Sequence, residues 1–431
     1  MLKVYSNLQC ADSLEKEIIK FSQISATSLP YSDSFDGSMP EWMINGENPS
    51  WRSNTPDGLR VPAHDGAAWI TQNADTTYNH LENSYVESPC FDLTTLDRPV
   101  VNLDLFRDLE TDVDGAVLQM TFDDGESWYV VGDDATGANW FNSKGLPSNP
   151  GMQTTGINYG WTSTAEEWIA AKYALDTYVD TISAQSRVRF RVALGSNLTN
   201  PGNAKFGGFA FDNFHIGSRN RRVLLEHFTN SNATGYATSI SALSGFVQNK
   251  DEELIHLVYH NSYPVADDIF SFNPEDLETR SFYYGVSEGP ANVMDGYLNP
   301  QPFDQWGLTY YNNETLQPSP YELVVTNNSA NGNDRLELDV EVISGIAGSD
   351  TFNIYIVLAE EIDGLYVVRE MLPEPYGERV ERTWTIGESA VFNFDLKTKS
   401  YQDTDNMYLI GFLQNPKSNA IYQSFVVSAG S

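Results

Sequence analysis

The chain is poor in cysteine and poor in positive charge. Its 431 residues include two cysteines and 25 Lys and Arg against 59 Asp and Glu, a net charge of −34. Two thiols exclude a disulfide-built scaffold and a four-thiolate zinc site. A charge of −34 repels nucleic-acid phosphates and anionic lipid surfaces, which excludes a nucleic-acid binder. No hydrophobic run reaches the roughly 18 residues of a membrane helix. The longest candidate, Phe352 to Ala359, reads as a strand. No repeat recurs with a period of about 20–50 residues, which argues against a solenoid or propeller. The opening MLKVYSNLQCADS has no apolar core of signal-peptide length. The chain therefore either stays inside the cell or is a mature piece of an exported protein. The charge and the Asn-rich loops favour export.

Apolar and aromatic residues are plentiful, at 41% and 13%. Such a chain buries cores and is not a disordered acidic tail. Residues 1–27 hold a helix candidate, capped by Ser13, with Leu14, Ile18 and Phe21 at helical spacing. Residues 28–218 read as β. Val101, Leu103 and Leu105 alternate with polar neighbours, as do Leu118, Met120 and Phe122, and Val188, Phe190 and Val192. A period of two between Gly and Asp turns predicts an antiparallel sandwich. Ser163 and Glu166 form a capping box that argues for a helix over 163–175.

Residues 219–318 change character. Strand Arg222–Phe228, helix Thr238–Asn249, strand Leu254–Tyr259, a second helix and then Gly289-Pro290 make an α/β pattern. Residues 319–431 return to β, with alternation over Leu336–Val342 and Ile354–Leu358 and closing strands at Tyr408–Leu413 and Ile421–Val427. The fold class expected is mainly β with an α/β middle domain.

Several segments carry a resemblance. LPYSDSFDG (29–37), YVESPCFDLTTLDRPVVNLDL (85–105), DGAVLQMTFDDGESWYVVG (114–132), EEWIAAKYALD (166–176), VRFRVAL (188–194) and GGFAFDNFHIG (207–217) stand in the order seen in MAM-like domains. These jelly rolls are common in exported Bacteroidetes proteins, which the first domain resembles. The resemblance implies a strand at 168–175 against the capping box, and a domain that binds or packs. It also implies a structural calcium ion between the first and last strands, with Asp36 and Asp212 as candidates; an Asp212 ion pair with Arg189 or Arg191 is the competing account. VLLEHFTN (223–230) and YYGVSEGPANVMDGY (283–297) resemble the thioredoxin-like domains of Bacteroidetes surface proteins, with Pro290 in the cis-proline role. Where their CxxC stands, this chain has Ala233-Thr234-Gly235-Tyr236. Thiol exchange needs an attacking thiolate, so redox chemistry there is excluded, and a groove near Pro290 for an extended peptide remains. A β-sandwich often follows such domains. The expected organisation is a lead-in (1–27), a jelly roll (28–218), a degenerate thioredoxin-like domain (219–318) and a β-sandwich (319–431).

Other constellations compete with plainer accounts. Trp42, Trp51, Trp69 and Trp140 lie near Asn and Asp, a composition that suits sugar rings; the alternative is that they pack the sandwich. Glu110, Asp112 and Asp114 resemble the front of a calcium loop, but position twelve is Thr121, so the EF-hand pattern fails and a wet acidic loop is favoured. Thr121, Asp123, Gly125, Ser127 and Trp128 make one Asp-box, a hairpin motif that is structural even in sialidases. His256 and His260 share a face but lack a third metal ligand, although Asp267 and Asp268 follow. His227 beside Glu226 has no nucleophile elbow with it. Cys10 and Cys90 either pair, closing a long loop, or are unrelated thiols.

The reading is a non-enzymatic exported binding or adhesion protein, with glycan recognition through the jelly roll and type IX secretion as its specific content. A scaffold that binds a protein partner through the thioredoxin-like groove is the first alternative. A hydrolase with an unseen site is the second.

Overall fold

A computed structural model describes residues 2–5, 11–14, 21–37, 41–73, 76–179, 181, 187–198, 206–248, 250, 253–327, 335–343, 348–396 and 406–429. The chain forms two compact units, Met1–Ser218 and Arg219–Ser431.

The first unit is a two-sheet sandwich. One sheet runs Ile169–Ala174, Pro99–Asp108, Gly208–Ser218, Ala68–Thr71, Trp51–Asn54, with Tyr31–Asp33 also on Gly208–Ser218. The other runs Tyr129–Val130, Gly115–Thr121, Arg189–Gly195, Asn83–Glu87, Met43–Glu47. Every pairing within the two sheets is antiparallel. The alternation explains the assembly: Val101, Leu103 and Leu105 of one sheet meet Leu118, Met120, Phe190 and Val192 of the other in a single core. The segment Ile169–Ala174 is a strand beside Pro99–Asp108, as the resemblance implied, so sheet pairing overrides the local capping box. The N-terminal helix expectation fails where it can be seen: Ser13 and Leu14 belong to a short strand, Ala11–Leu14, paired with Leu2–Tyr5. Residues 15–20 lie outside the described residues.

Strand Gly115–Thr121 is buried on both faces. Its outer face is covered by the turn Pro150–Met152: Gln119 Nε2 donates to the Gly151 carbonyl at 3.2 Å and Arg191 Nη2 to the same oxygen at 2.9 Å. That cover buries Arg191, and Glu87, Phe21 and Trp128 bury Arg189, in a strand that alternates charge with apolar residues.

The second unit is built on one nine-stranded sheet. Val223–Thr229 and Leu254–His260 pair in parallel, joined by the crossover helix Tyr236–Val247. The hairpin Ala291–Met294 and Tyr297–Leu298 lies antiparallel on the far side of Val223–Thr229. The sheet continues from Leu254–His260 to Leu365–Leu372, Gly348–Ile362, Met407–Gln414 and Ile421–Ser428, with Glu378–Trp384 also on Gly348–Ile362. The residue-318 boundary therefore falls inside a unit with an unbroken sheet. A three-stranded sheet, Tyr321–Asn327, Arg335–Val342 and Ser389–Asp395, packs its Leu336, Leu338 and Phe394 against Phe352, Ile354 and Leu409 of the large one. Helix Pro274–Tyr284 starts with Pro and two acids in its first turn and ends at Gly285, which takes φ +70°.

One buried polar network ties this unit together. Arg280 donates to Glu226 from Nε (2.7 Å) and Nη2 (2.8 Å), and to Gln414 from Nη1 (2.9 Å). Tyr284 donates its hydroxyl hydrogen to Glu226 at 2.7 Å and accepts from Gln414 Nε2 at 2.8 Å. Tyr355 and Phe412 lie against the guanidinium, 4.7 and 5.1 Å from their ring centres. Helix, parallel strand and C-terminal strand are thereby joined around one charge pair.

Candidate functional site

The tryptophans expected to face sugars do not. Trp42, Trp51, Trp69 and Trp140 are 3–5% exposed. Trp42 packs edge-on against Phe35 and Phe214, at 5.6 and 4.8 Å between ring centres, and Trp51 against Phe211 at 5.8 Å. Trp140 meets Trp161 at 5.0 Å and donates its indole N–H to the Val131 carbonyl. These rings are sandwich core, and their loop-like sequence surroundings concealed it. The Asp-box is a turn device, as its residues suggest. Asp123 Oδ1 accepts from Thr121 Oγ1 and the Ser127 amide, both at 2.8 Å, Gly125 takes φ +92°, and Trp128 lies under Arg191 at 4.1 Å.

The acidic residues of the first unit divide into two places. Glu110 and Asp114 are buried, but Asp114 accepts from the Tyr78 hydroxyl (2.6 Å) and the Asn197 amide (2.9 Å), while Asp112 accepts from Ser143. Asp114 holds loops together, and the three side chains do not converge as a calcium loop. Asp212 is fully buried, and its Oδ2, like Glu110 Oε2, has no hydrogen-bond partner among the described residues. His64 Nε2 stands 3.8 Å from Asp212 and 3.2 Å from Asp104, and its ring stacks on Trp168 at 4.2 Å. Burial, opposed by the Asn213 amide and His64 and reinforced by Asp36 and Asp104, pushes the Asp212 carboxyl up to about 7. Asp36 accepts from the Ala67 amide at 2.7 Å and from Ser34 at 2.9 Å. The Asp212–arginine ion pair does not form: Arg189 pairs with Glu87 at 2.7 Å, and Arg191 bonds Gln119 at 2.8 Å. The orphaned oxygen of Asp212 and its hard carboxylate neighbours suit a calcium ion in chemistry. Among the described residues, however, no three His, Cys, Asp or Glu side chains stand close enough to hold a metal. Cys90 is a buried thiol, and Cys10 lies outside the described residues.

In the second unit the sequence-selected residues gather on one side of the sheet. The loop before helix Tyr236–Val247, which includes Ala233, is held by Asp267. Its Oδ2 accepts from the Ser231 amide (2.6 Å), the Ser231 hydroxyl (2.9 Å) and His260 Nδ1 (3.0 Å). The Tyr236 ring lies 6.1 Å from that of His260. His256 Nε2 accepts the Tyr366 amide at 3.2 Å. Both ring systems are thus committed to the fold, and burial drives His256 down to about 4, keeping it neutral.

Beside them lies a cavity of about 1340 Å³. One wall is helix Tyr236–Val247, through Leu243 and Phe246; the other is Phe303 and Trp306 of helix Phe303–Glu314; Pro290 lies along it. His227 lines it from the sheet. Its Nδ1 donates to Asn292 Oδ1 at 2.8 Å, leaving Nε2 as an acceptor with no partner among the described residues. Burial, with a smaller contribution from His260, holds this imidazole down to about 4, against its bond to Asn292. Ala233 and Tyr236 are not part of the lining; of the degenerate redox position, Gly235 and Pro290 face the cavity. The sequence signals for this site are Pro290, beside which a groove is expected, and His227, next to Glu226 inside an apolar strand.

The arrangement is that of a mainly β protein with a two-sheet sandwich and a mixed α/β unit. No family model matches the chain, and no curated protein matches it. Solved structures with similarity include HBP35 of Porphyromonas gingivalis, at 13% identity over 49% of this chain and 76% of that one, with a TM-score of 0.39. The K1 cleaved adhesin domain of Lys-gingipain from Porphyromonas gingivalis matches at 10% identity over 44% of this chain and 97% of that one, TM-score 0.27. The CBM22-2 xylan-binding domain of Paenibacillus barcinonensis Xyn10C matches at 10% identity over 43% of this chain and 98% of that one, TM-score 0.24. Likeness this distant carries no argument about what this chain binds.

Proposed function

We propose that this chain is a non-catalytic binding protein of the cell surface or extracellular space, and that the second unit receives an extended segment of a protein partner. The cavity carries this reading. At about 1340 Å³ it exceeds the roughly 300–1,000 Å³ of ordinary small-molecule pockets, and its walls are largely apolar. It passes Pro290, in a strand–helix–strand frame that supports the thioredoxin-like resemblance. No cysteine follows Cys90, so a thiol-exchange role has no reactant there. Glycan recognition by the jelly roll has lost the four aromatics on which it rested. Export by the type IX route and a structural calcium ion beside Asp212 remain part of the proposal, on the resemblance and on the orphaned carboxylate oxygen.

A random-peptide phage library panned against the wild type and against Ala242→Trp tests the reading. Ala242 lines the cavity from an exposed position on the helix, so the indole fills the groove without entering the core. Peptides enriched by the wild type are expected to be lost on the variant. Equal enrichment on both, or none on either, refutes the reading.

A further inference from the structure

The cavity has a chemical bias that its shape does not convey. Its lining contains no Lys or Arg. It contains two carboxylates, Glu288 and Asp304, both exposed at its rim. Three helix ends also reach it. Gly235 and Pro302, before the first turns of Tyr236–Val247 and Phe303–Glu314, bring partial positive charges, and Gly285, after the last turn of Pro274–Tyr284, a partial negative one. Their sum is about half a positive charge, against two full carboxylate charges, so the carboxylates decide the field. The net charge of −34 adds to it at long range.

The interior asks for something else. His227 is 1% exposed and fixed by Asn292, so the ring cannot turn to find another partner without breaking that bond. A buried acceptor with nothing to accept costs free energy, and a ligand that supplies a donor recovers it. An anion or a bare carbonyl has no hydrogen to offer Nε2. Around it, Leu243, Phe246, Phe303 and Trp306 supply surface for an apolar stem and aromatic faces for a cation.

We infer that the occupant is a basic peptide segment, with a side-chain or backbone N–H donated to His227 Nε2 and its positive charge answered by Glu288 and Asp304. This rests on the peptide-groove reading above and narrows it. The inner contact sets which groups are accepted, and the rim sets the charge of the segment that approaches.

The same phage selection separates the two claims. Groove-dependent peptides are expected to be enriched in Lys and Arg. A synthetic peptide of the enriched sequence should bind His227→Phe about tenfold more weakly, the size of one desolvated hydrogen bond. It should also bind Glu288→Lys/Asp304→Lys more weakly, with a difference that shrinks as salt rises. Because His227→Phe also strips Asn292 of its donor, a second measurement is needed. The His227 ring ¹⁵N signals of the wild type should show Nε2 entering a hydrogen bond when the peptide is added. Groove-dependent peptides that are acidic or neutral, or a basic peptide that leaves Nε2 unmoved, overturn this inference and leave the groove reading standing. Absence of any groove-dependent peptide overturns both.

Discussion

Replacing Arg280 by methionine should be among the most damaging single changes in the second unit. The guanidinium is completely buried and makes two parallel bonds to Glu226, one to Gln414 and one to Tyr284. Methionine keeps much of the stem volume between Tyr355 and Phe412. It leaves Glu226 as a buried anion without its counter-charge, with the Tyr284 hydroxyl donating to it. Removing one partner of a buried pair costs about 3–5 kcal/mol, because the other charge is left uncompensated. The double change Glu226→Gln/Arg280→Met removes both charges and should cost less than Arg280→Met alone. Fluorescence is a poor reporter, since seven of the nine tryptophans lie in the first unit. Native-state hydrogen exchange of the peptide covering Val223–Thr229 reads the stability of the sheet that Glu226 belongs to. A loss below about 1 kcal/mol for Arg280→Met, or a double variant worse than the single, would show that the network is not held by its charges.

Two further predictions concern the first unit. The Asp212 carboxyl stands at about 7 in the folded chain, against an ordinary 3.8. Between those values the native state holds a proton that the unfolded chain has released, so stability falls as pH rises through that window. The loss is complete above about pH 7, and below about pH 4 both states are protonated and no effect remains. Asp212→Asn should therefore raise stability at pH 8 by up to about 4 kcal/mol and flatten the pH profile of thermal unfolding. Destabilisation by the same change, seen only with calcium present, would mean that the carboxylate serves a cation instead. At Gly125 a Cβ would meet Arg189 Nη2 at 2.6 Å, and the φ of +92° already disfavours any side chain. Arg189 is held by Glu87 and cannot retreat freely, so Gly125→Ala should cost about 1–3 kcal/mol, read as a lower unfolding midpoint.

The legible part of this protein was the part decided by local periodicity. Val101, Leu103 and Leu105 placed a strand because alternate residues face one core, and the Asp-box announced its own hydrogen bonds. Ile169–Ala174 shows the limit, since its capping box and helix formers point one way and its position beside Pro99–Asp108 the other. The burial of the tryptophans is hidden from the sequence for a related reason. Trp42 stands just before strand Met43–Glu47, and nothing near it in sequence indicates that the distant Phe211 and Phe214 will pack on it with Phe35. The cavity joins residues from 227 to 308, and its unpaired nitrogen exists only because Asn292 takes the other one. No spacing rule could have announced that.

The nine-stranded sheet also bears on how the chain can be divided. Leu254–His260 is covered on its open side by Leu365–Leu372, paired at Val258 and Val367. A fragment ending near residue 318 would keep the parallel pair and the cavity walls yet leave a row of unsatisfied amides and carbonyls along Leu254–His260. Exposed strand edges of that length recruit other strands. The strand Leu365–Leu372 thus acts as a guard against self-association, and a piece of this half must extend past it to protect that edge.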